Sequence, residues 1–345
     1  MDAESHHRKR GGFRNPWPGA QPHGLSGVLK WALTRRQQPE PANPRQQPDE
    51  LPPRDHRSAH RDGQVEGLVS PRSDCLTVTW IGHSTFLIQS GGVNILTDPI
   101  WSARASPVSF AGPRRSIAAG IPFERLPEIH ATLISHDHYD HLDDVTVRML
   151  TARYPGMQWL APLGVAAFLK KRNAARIIEL DWWDERDLGS FSALCTPAQH
   201  FSGRFPWNRD ATLWCGWAIR IGDFRIFFAG DTGLHKEFRR ISDRFGPFDA
   251  AILPIGAYDP RWFMQPVHMD PVESVEAFQH LVGDAPARPC VMIPSHWGTF
   301  RLTDEPLSEP PLLARQAWKN SGRSDDMLAI LRPGESYSMH SSSRA

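Results

Sequence analysis

No stretch of this 345-residue sequence approaches the roughly 18 consecutive apolar residues that a membrane-crossing helix requires. The opening residues, MDAESHHRKRGGF, carry charge but no apolar segment of the kind that makes a secretory leader. The expectation is a cytoplasmic protein that at most rests on a membrane surface. The four cysteines, Cys75, Cys195, Cys215 and Cys290, lie far apart and form no C-x-x-C pair. That excludes a zinc ribbon or a thioredoxin-type motif and fits a reducing compartment. Net charge is almost absent, at +1, so no global field draws the chain to nucleic acid, and no nucleic-acid partner is expected. The lack of any internal repeat excludes a solenoid or propeller.

What is present is an ordinary globular composition, 40% hydrophobic and 22% charged, together with 16 His and 13 Trp. The composition supports one large core, and the histidines and tryptophans point to a site, as metal ligands and as broad amphipathic surface. Residues 1–73 read as a partly ordered tail, because Gln37–Asp62 is rich in Pro, Gln and Arg and has almost nothing to bury. Within the tail, Leu25, Val28, Leu29, Ala32 and Leu33 fall at helical spacing beside Trp31. Such a helix either docks on the catalytic domain or lies on a lipid surface. The domain itself is expected over 74–338, with 339–345 a disordered end.

From Leu76 the runs LTVTWI, STFLIQ and VNILTDP predict opening antiparallel strands. Apolar strands then follow at 131–136, 158–162, 192–200, 212–221, 224–231, 250–256 and 290–296, most ending in a polar residue. Helical patterns sit between or after them at 143–153, 163–172, 234–244, 271–282 and about 308–319. Two packed sheets with helices on both outer faces would bury all of these runs, whereas one doubly wound sheet suits the opening hairpins poorly.

The sharpest signal is Ser135-His136-Asp137-His138-Tyr139-Asp140-His141, an H-x-H-x-D-H loop directly after a buried-type strand. Packing offers no reason to gather three imidazoles and two carboxylates on one loop, and Zn2+ favours such donors. One loop cannot surround two ions. His200, Asp231 and His296 each terminate another apolar strand and complete the set, and Gly233 suits Asp231 to a tight turn.

This pattern resembles the metallo-β-lactamase superfamily. Phe13–Pro18, Thr97–Ile100 with Arg104–Pro107, Glu179–Trp183, Pro254–Tyr258 with Pro260–Met264, and His296–Phe300 resemble segments of its N-acylphosphatidylethanolamine-hydrolysing phospholipase D family. The resemblance implies an α/β, four-layered αββα sandwich and two zinc ions, with manganese or iron suiting the same donors. His136, His138, His200 and Asp231 would hold one ion and Asp140, His141, Asp231 and His296 the other, with Asp231 as the bridge. It further suggests a homodimer. Val267 ahead of His268, and Phe201-Ser202-Gly203, depart from the family pattern.

The chemistry implied is attack of hydroxide, generated between two cations about 3.5–4 Å apart, on a phosphodiester. The products would be an N-acylethanolamine and phosphatidic acid. His268, grouped with Asp140 as catalytic, is the candidate for protonating the leaving group or orienting the phosphate, its rival role being a structural hydrogen bond. Arg204 could grip phosphate or form a surface ion pair. Trp262, Phe263 and Trp297 could line an acyl groove or pack in the core. Asp98 and His83 are expected to steady the ligands. The alternatives are a hydrolase of a small soluble ester, lactone or phosphodiester, a nuclease, which would want an insertion absent between Asp231 and His296, and a noncatalytic metal-binding module.

Overall fold

A computed structural model of the chain describes residues 5–9, 11–35, 73–283 and 288–341. The expected Pro/Gln/Arg-rich linker at Gln37–Asp62 lies outside the described residues. Among the described residues thirteen strands form, β1 (Cys75–Gly82), β2 (Thr85–Ser90), β3 (Val93–Thr97), β4 (Ala131–Leu133), β5 (Gln158–Pro162), β6 (Arg176–Leu180), β7 (Glu185–Asp187), β8 (Ser192–Thr196), β9 (Gly216–Ile221), β10 (Phe224–Phe228), β11 (Ala250–Pro254), β12 (Val291–Ser295) and β13 (Ser336–His340). They make a seven-stranded sheet ordered β13-β1-β2-β3-β4-β5-β6 and a six-stranded sheet ordered β12-β11-β10-β9-β8-β7. In each sheet an antiparallel part continues into parallel strands, β3 to β6 in the first and β10 to β12 in the second.

The period-2 alternation of β2 shows how the layers arise. Phe86 and Ile88 point inward to a core shared with Leu194, Trp217, Phe228 and Ile252 of the second sheet. Leu87 points outward and packs with Val147, Leu150 and Leu169, which belong to α2 (Asp144–Arg153) and α3 (Ala166–Lys170). On the second sheet's far side lie α4 (Phe238–Phe245), α6 (Pro271–Val282) and α7 (Glu309–Asn320), with the short α5 (Arg261–Met264) before α6. The architecture is a four-layered αββα sandwich. Local chemistry sets the helix starts. Asp143 accepts the Thr146 N–H ahead of α2, and Asp270 accepts the N–H groups of Val272 and Glu273, with Pro271 at the first position of α6.

Three strands escape the sequence patterns. β7 (Glu-Arg-Asp) is exposed throughout, β13 is mostly polar, and β6 is only half-buried. The expected domain boundary at 338 therefore falls inside β13, whose Met339 and His340 pair with Leu76 and Cys75. The helix predicted over 163–172 is confined to 166–170. The tail helix α1 (Leu25–Thr34) forms and docks through Trp31, which stacks on Phe263 with ring centroids 5.4 Å apart and bonds Asp304 through Nε1 at 3.0 Å. Its apolar stripe faces away, with Leu29 64% and Leu33 88% exposed. Among the described residues no helix is long and apolar enough to cross a membrane.

Candidate metal centre

The centre lies where strand ends of both sheets meet. The loop Ser135–His141 follows β4 of the first sheet, while His200, Asp231 and His296 follow β8, β10 and β12 of the second. Two glycines permit the close approach. At Gly230, φ is +60° and a Cβ would stand 2.6 Å from Ser135 Cβ, so the chain entering Asp231 packs directly on the loop of the opposite sheet. At Gly256 a Cβ would lie 2.0 Å from the His296 carbonyl oxygen.

The nominated side chains converge as two trios around one carboxylate. His136 Nε2, His138 Nδ1 and His200 Nε2 form the first, with His138 Nδ1 2.8 Å from His136 Nε2 and 3.2 Å from His200 Nε2. Asp140 Oδ2, His141 Nε2 and His296 Nε2 form the second, the imidazoles 3.4 and 3.5 Å from the carboxylate oxygen. Asp231 Oδ2 faces both, at 3.1 Å from His141 Nε2 and His296 Nε2, 3.9 Å from His136 Nε2 and 3.8 Å from His200 Nε2. His268 stands at the rim, its Nδ1 4.0 Å from Asp231 Oδ2.

Buried donors and acceptors normally find partners. Here Nε2 of His141, Nε2 of His296, Oδ1 of Asp231 and Nδ1 of His268 are buried without a hydrogen bond. Unpaired nitrogen and oxygen donors turned to a common centre are what a divalent cation would satisfy, and this donor set suits zinc. At the first trio the electrostatics agrees. Burial, then the neighbouring imidazoles, hold His136 well below its ordinary pKa, and they bring His138 to about 3. Burial also dominates at His200, lowered to about 4. Neutral imidazoles with free lone pairs are the ligand form. Burial opposes charge on His141 and His296 too, but the carboxylates outweigh it, raising His296 to about 9 and His141 well above its usual value.

Around the trios lie groups that orient them. Asp98 Oδ2 is 2.7 Å from His141 Nδ1, and Asp98 also accepts the Ser135 N–H at 2.7 Å and its hydroxyl at 2.5 Å. Ser135 Oγ is in turn 2.8 Å from His136 Nδ1. His83 Nε2 lies 2.9 Å from Asp140 Oδ2, and His200 Nδ1 lies 2.9 Å from the Val267 carbonyl. Asn15, from the tail, is buried against the His200 backbone. Sequence reasoning assigned no role to Ser135 or Asn15. The position of Ser135 immediately before the histidine loop, and of Asn15 inside the Phe13–Pro18 segment, were the available signals.

Other nominated residues sit elsewhere. Arg204 donates from Nη1 to the carbonyls of Asp137 at 2.9 Å and Leu142 at 2.7 Å, and stacks over Tyr139 and Phe168. It braces the histidine loop from behind, beside a cleft of about 680 Å³ lined also by Tyr139, Phe168 and Lys171. Trp297 is buried and stacks on Trp80 at 4.8 Å. Phe263 is covered by His23 and Trp31, and only Trp262 of the three is exposed, under Lys30.

A two-sheet sandwich with a histidine and aspartate cluster at its strand ends is the framework of a metal-dependent enzyme. The chain belongs to the metallo-β-lactamase superfamily, residues 93–297 matching the family described as the Beta-lactamase superfamily domain. It is 40% identical over 246 residues to N-acyl-phosphatidylethanolamine-hydrolyzing phospholipase D 1 of Caenorhabditis elegans, covering 68% of this chain and 67% of that one. It is 30% identical over 276 residues to a metal-dependent hydrolase of Aeropyrum pernix, covering 75% and 96% of the two chains. The solved metallo hydrolase of Ignicoccus hospitalis shares the fold at a TM-score of 0.58 and 22% identity, over 77% of this chain and 99% of that one.

Proposed function

We propose that the protein is a dinuclear zinc phosphodiesterase of the phospholipase D type, which releases an N-acylethanolamine and phosphatidic acid from an N-acylated phosphatidylethanolamine. The observation that carries the reading is the position of Asp231 Oδ2 between two trios of donors, with Nε2 of His141 and of His296 buried beside it without a hydrogen bond. Support for a lipid substrate comes from the nematode relative and from the outward apolar stripe of α1, close to exposed Trp262 and Lys30.

In this reading His136, His138, His200 and Asp231 would hold one zinc, and Asp140, His141, His296 and Asp231 the other. Bound zinc would supply an acidified water and neutralise phosphate charge. The chain's own residues fix the geometry. Asp98 sets the orientation of His141, His83 that of Asp140, and Ser135 that of His136, as partners of metal-binding groups do. His268 is buried at the rim, its lone Nδ1 turned to the centre, and it would hold or pass the proton needed by the departing alcohol. No side chain need act as nucleophile.

The test is elemental analysis of the purified protein together with mass-spectrometric turnover of N-acylphosphatidylethanolamine in mixed micelles and of a soluble phosphodiester. Two zinc ions per chain with release of N-acylethanolamine is the expected result. Turnover of the soluble ester alone would move the substrate away from lipids, and activity surviving Asp231→Asn with both metals lost would overturn the mechanism.

A further inference from the structure

A second cluster of metal-binding side chains stands apart from the strand-end centre. His6 Nε2 lies 2.6 Å from Asp181 Oδ1, and His7 Nε2 lies 2.6 Å from Asp181 Oδ2. One carboxylate is thus approached from both oxygens by two imidazoles from the tail, the ligand atoms all within 4.8 Å of one another. We propose that His6, His7 and Asp181 form a further site for a borderline divalent cation such as Zn2+.

The donor set, two imidazole nitrogens and a carboxylate oxygen, suits such an ion. In a tetrahedral zinc site the ligand atoms stand about 3.3 Å apart, so each imidazole need draw back from the carboxylate by only a fraction of an ångström. The cluster is held in place before any ion arrives. The His6 ring stacks on Trp182 with centroids 4.3 Å apart and planes 21° from parallel, and the Asp181 carboxylate accepts the Trp182 N–H at 2.8 Å. The turn carrying the histidines is closed by hydrogen bonds from Arg14 N to the His6 carbonyl at 2.8 Å and from Arg8 N to the Gly12 carbonyl at 2.9 Å. The side chains are 18%, 45% and 28% exposed for His6, His7 and Asp181, which leaves room for water to complete the coordination. An ion bound there fastens the turn to the catalytic domain at the end of β6. The same turn leads into Asn15 and so to the backbone of His200, without any of the three residues entering the strand-end centre.

The test uses the full chain loaded with its tightly held metals and freed of loose metal, then titrated with Zn2+ by calorimetry. One further equivalent is expected at micromolar affinity, weakened about tenfold or more by His7→Ala and lost in the His6→Ala His7→Ala double variant. Because His7 is exposed, its replacement leaves the fold intact. Trypsin cleavage after the exposed Lys9 gives a second readout, slowed by added Zn2+ in the parent and unaffected in the double variant. Equal uptake and affinity in parent and variants, or no further equivalent in the parent, would overturn the site. Neither readout depends on catalysis, so the outcome is separable from the fate of the phospholipase reading.

Discussion

The Asn15 side chain clasps the peptide backbone of His200 from two sides, its Oδ1 accepting the His200 N–H at 3.2 Å and its Nδ2 donating to the His200 carbonyl at 2.8 Å. A third bond, from Nδ2 to the Ala20 carbonyl at 2.6 Å, closes the tail around the contact. Asn15 and His200 are both buried. The tail segment is therefore part of what positions His200, a candidate ligand of the centre.

Asn15→Ala would leave a buried N–H and a buried carbonyl of His200 unpaired, each costing about 1–3 kcal/mol. Denaturant titration should show a loss of about 2–6 kcal/mol, and elemental analysis should show reduced metal. Asn15→Asp keeps the acceptor but turns a carboxylate oxygen towards the carbonyls, so it should not rescue. Unchanged stability in both variants would remove the clasp from the account.

Asp98→Ala takes away the partner of His141 Nδ1 and of both polar groups of Ser135. Loss of such a supporting carboxylate typically weakens metal binding by about 10–100-fold. Competition with a chromophoric chelator measures this, and circular dichroism should show the sandwich retained.

Leu29 and Leu33 are exposed, so Leu29→Ser and Leu33→Ser should shift stability by no more than about 0.5 kcal/mol. Flotation with phosphatidylethanolamine-containing vesicles should nonetheless fall, as should turnover on micellar lipid, while turnover of a soluble phosphodiester stays level. Undiminished flotation of the double variant would take α1 out of lipid contact.

Burial pushes the Asp181 carboxyl up, but its hydrogen bonds with His6 and His7 outweigh that and hold it at about 2, against an ordinary value of 3.8. A depressed carboxylate contributes stability that is present above its unfolded value and lost as pH falls through its folded one. Attachment of the tail turn should therefore loosen between about pH 4 and pH 2. The fluorescence of Trp182, under the His6 ring, reports it. Asp181→Asn should abolish that acid transition, and an unaltered transition in the variant would place its origin elsewhere.

The meeting of the histidine loop with His200, Asp231 and His296 was legible, because five potential ligands in six residues have no packing explanation and each of the three others ends an apolar run. The layers were legible from alternation, as in Phe86, Leu87 and Ile88. β7 was not, because its Glu-Arg-Asp buries nothing and is held by backbone pairing with β8. Periodicity revealed that α1 has an apolar face but not which way it turns, since one tryptophan off the stripe sufficed to dock it. From its place beside His296, Trp297 could line a groove or pack in the core, and the sequence did not decide between them. The left-handed backbone at His296, φ +59°, accompanies a Trp297 ring buried in the core, the second of the two. Arg204 shows the same limit, because spacing from His200 gives proximity and not the direction of a guanidinium.

The donors of the candidate centre come from opposite layers, the H-x-H-x-D-H loop from the first sheet and His200, Asp231 and His296 from the second. An ion shared between them would act as a reversible cross-link, joining stretches of chain that are far apart in sequence. Loop-closure entropy rises with the length enclosed, and metal that binds only the folded state adds its binding free energy to folding. Chelation would then be felt along the whole seam between the sheets, as faster amide exchange in β4, β8, β10 and β12 together.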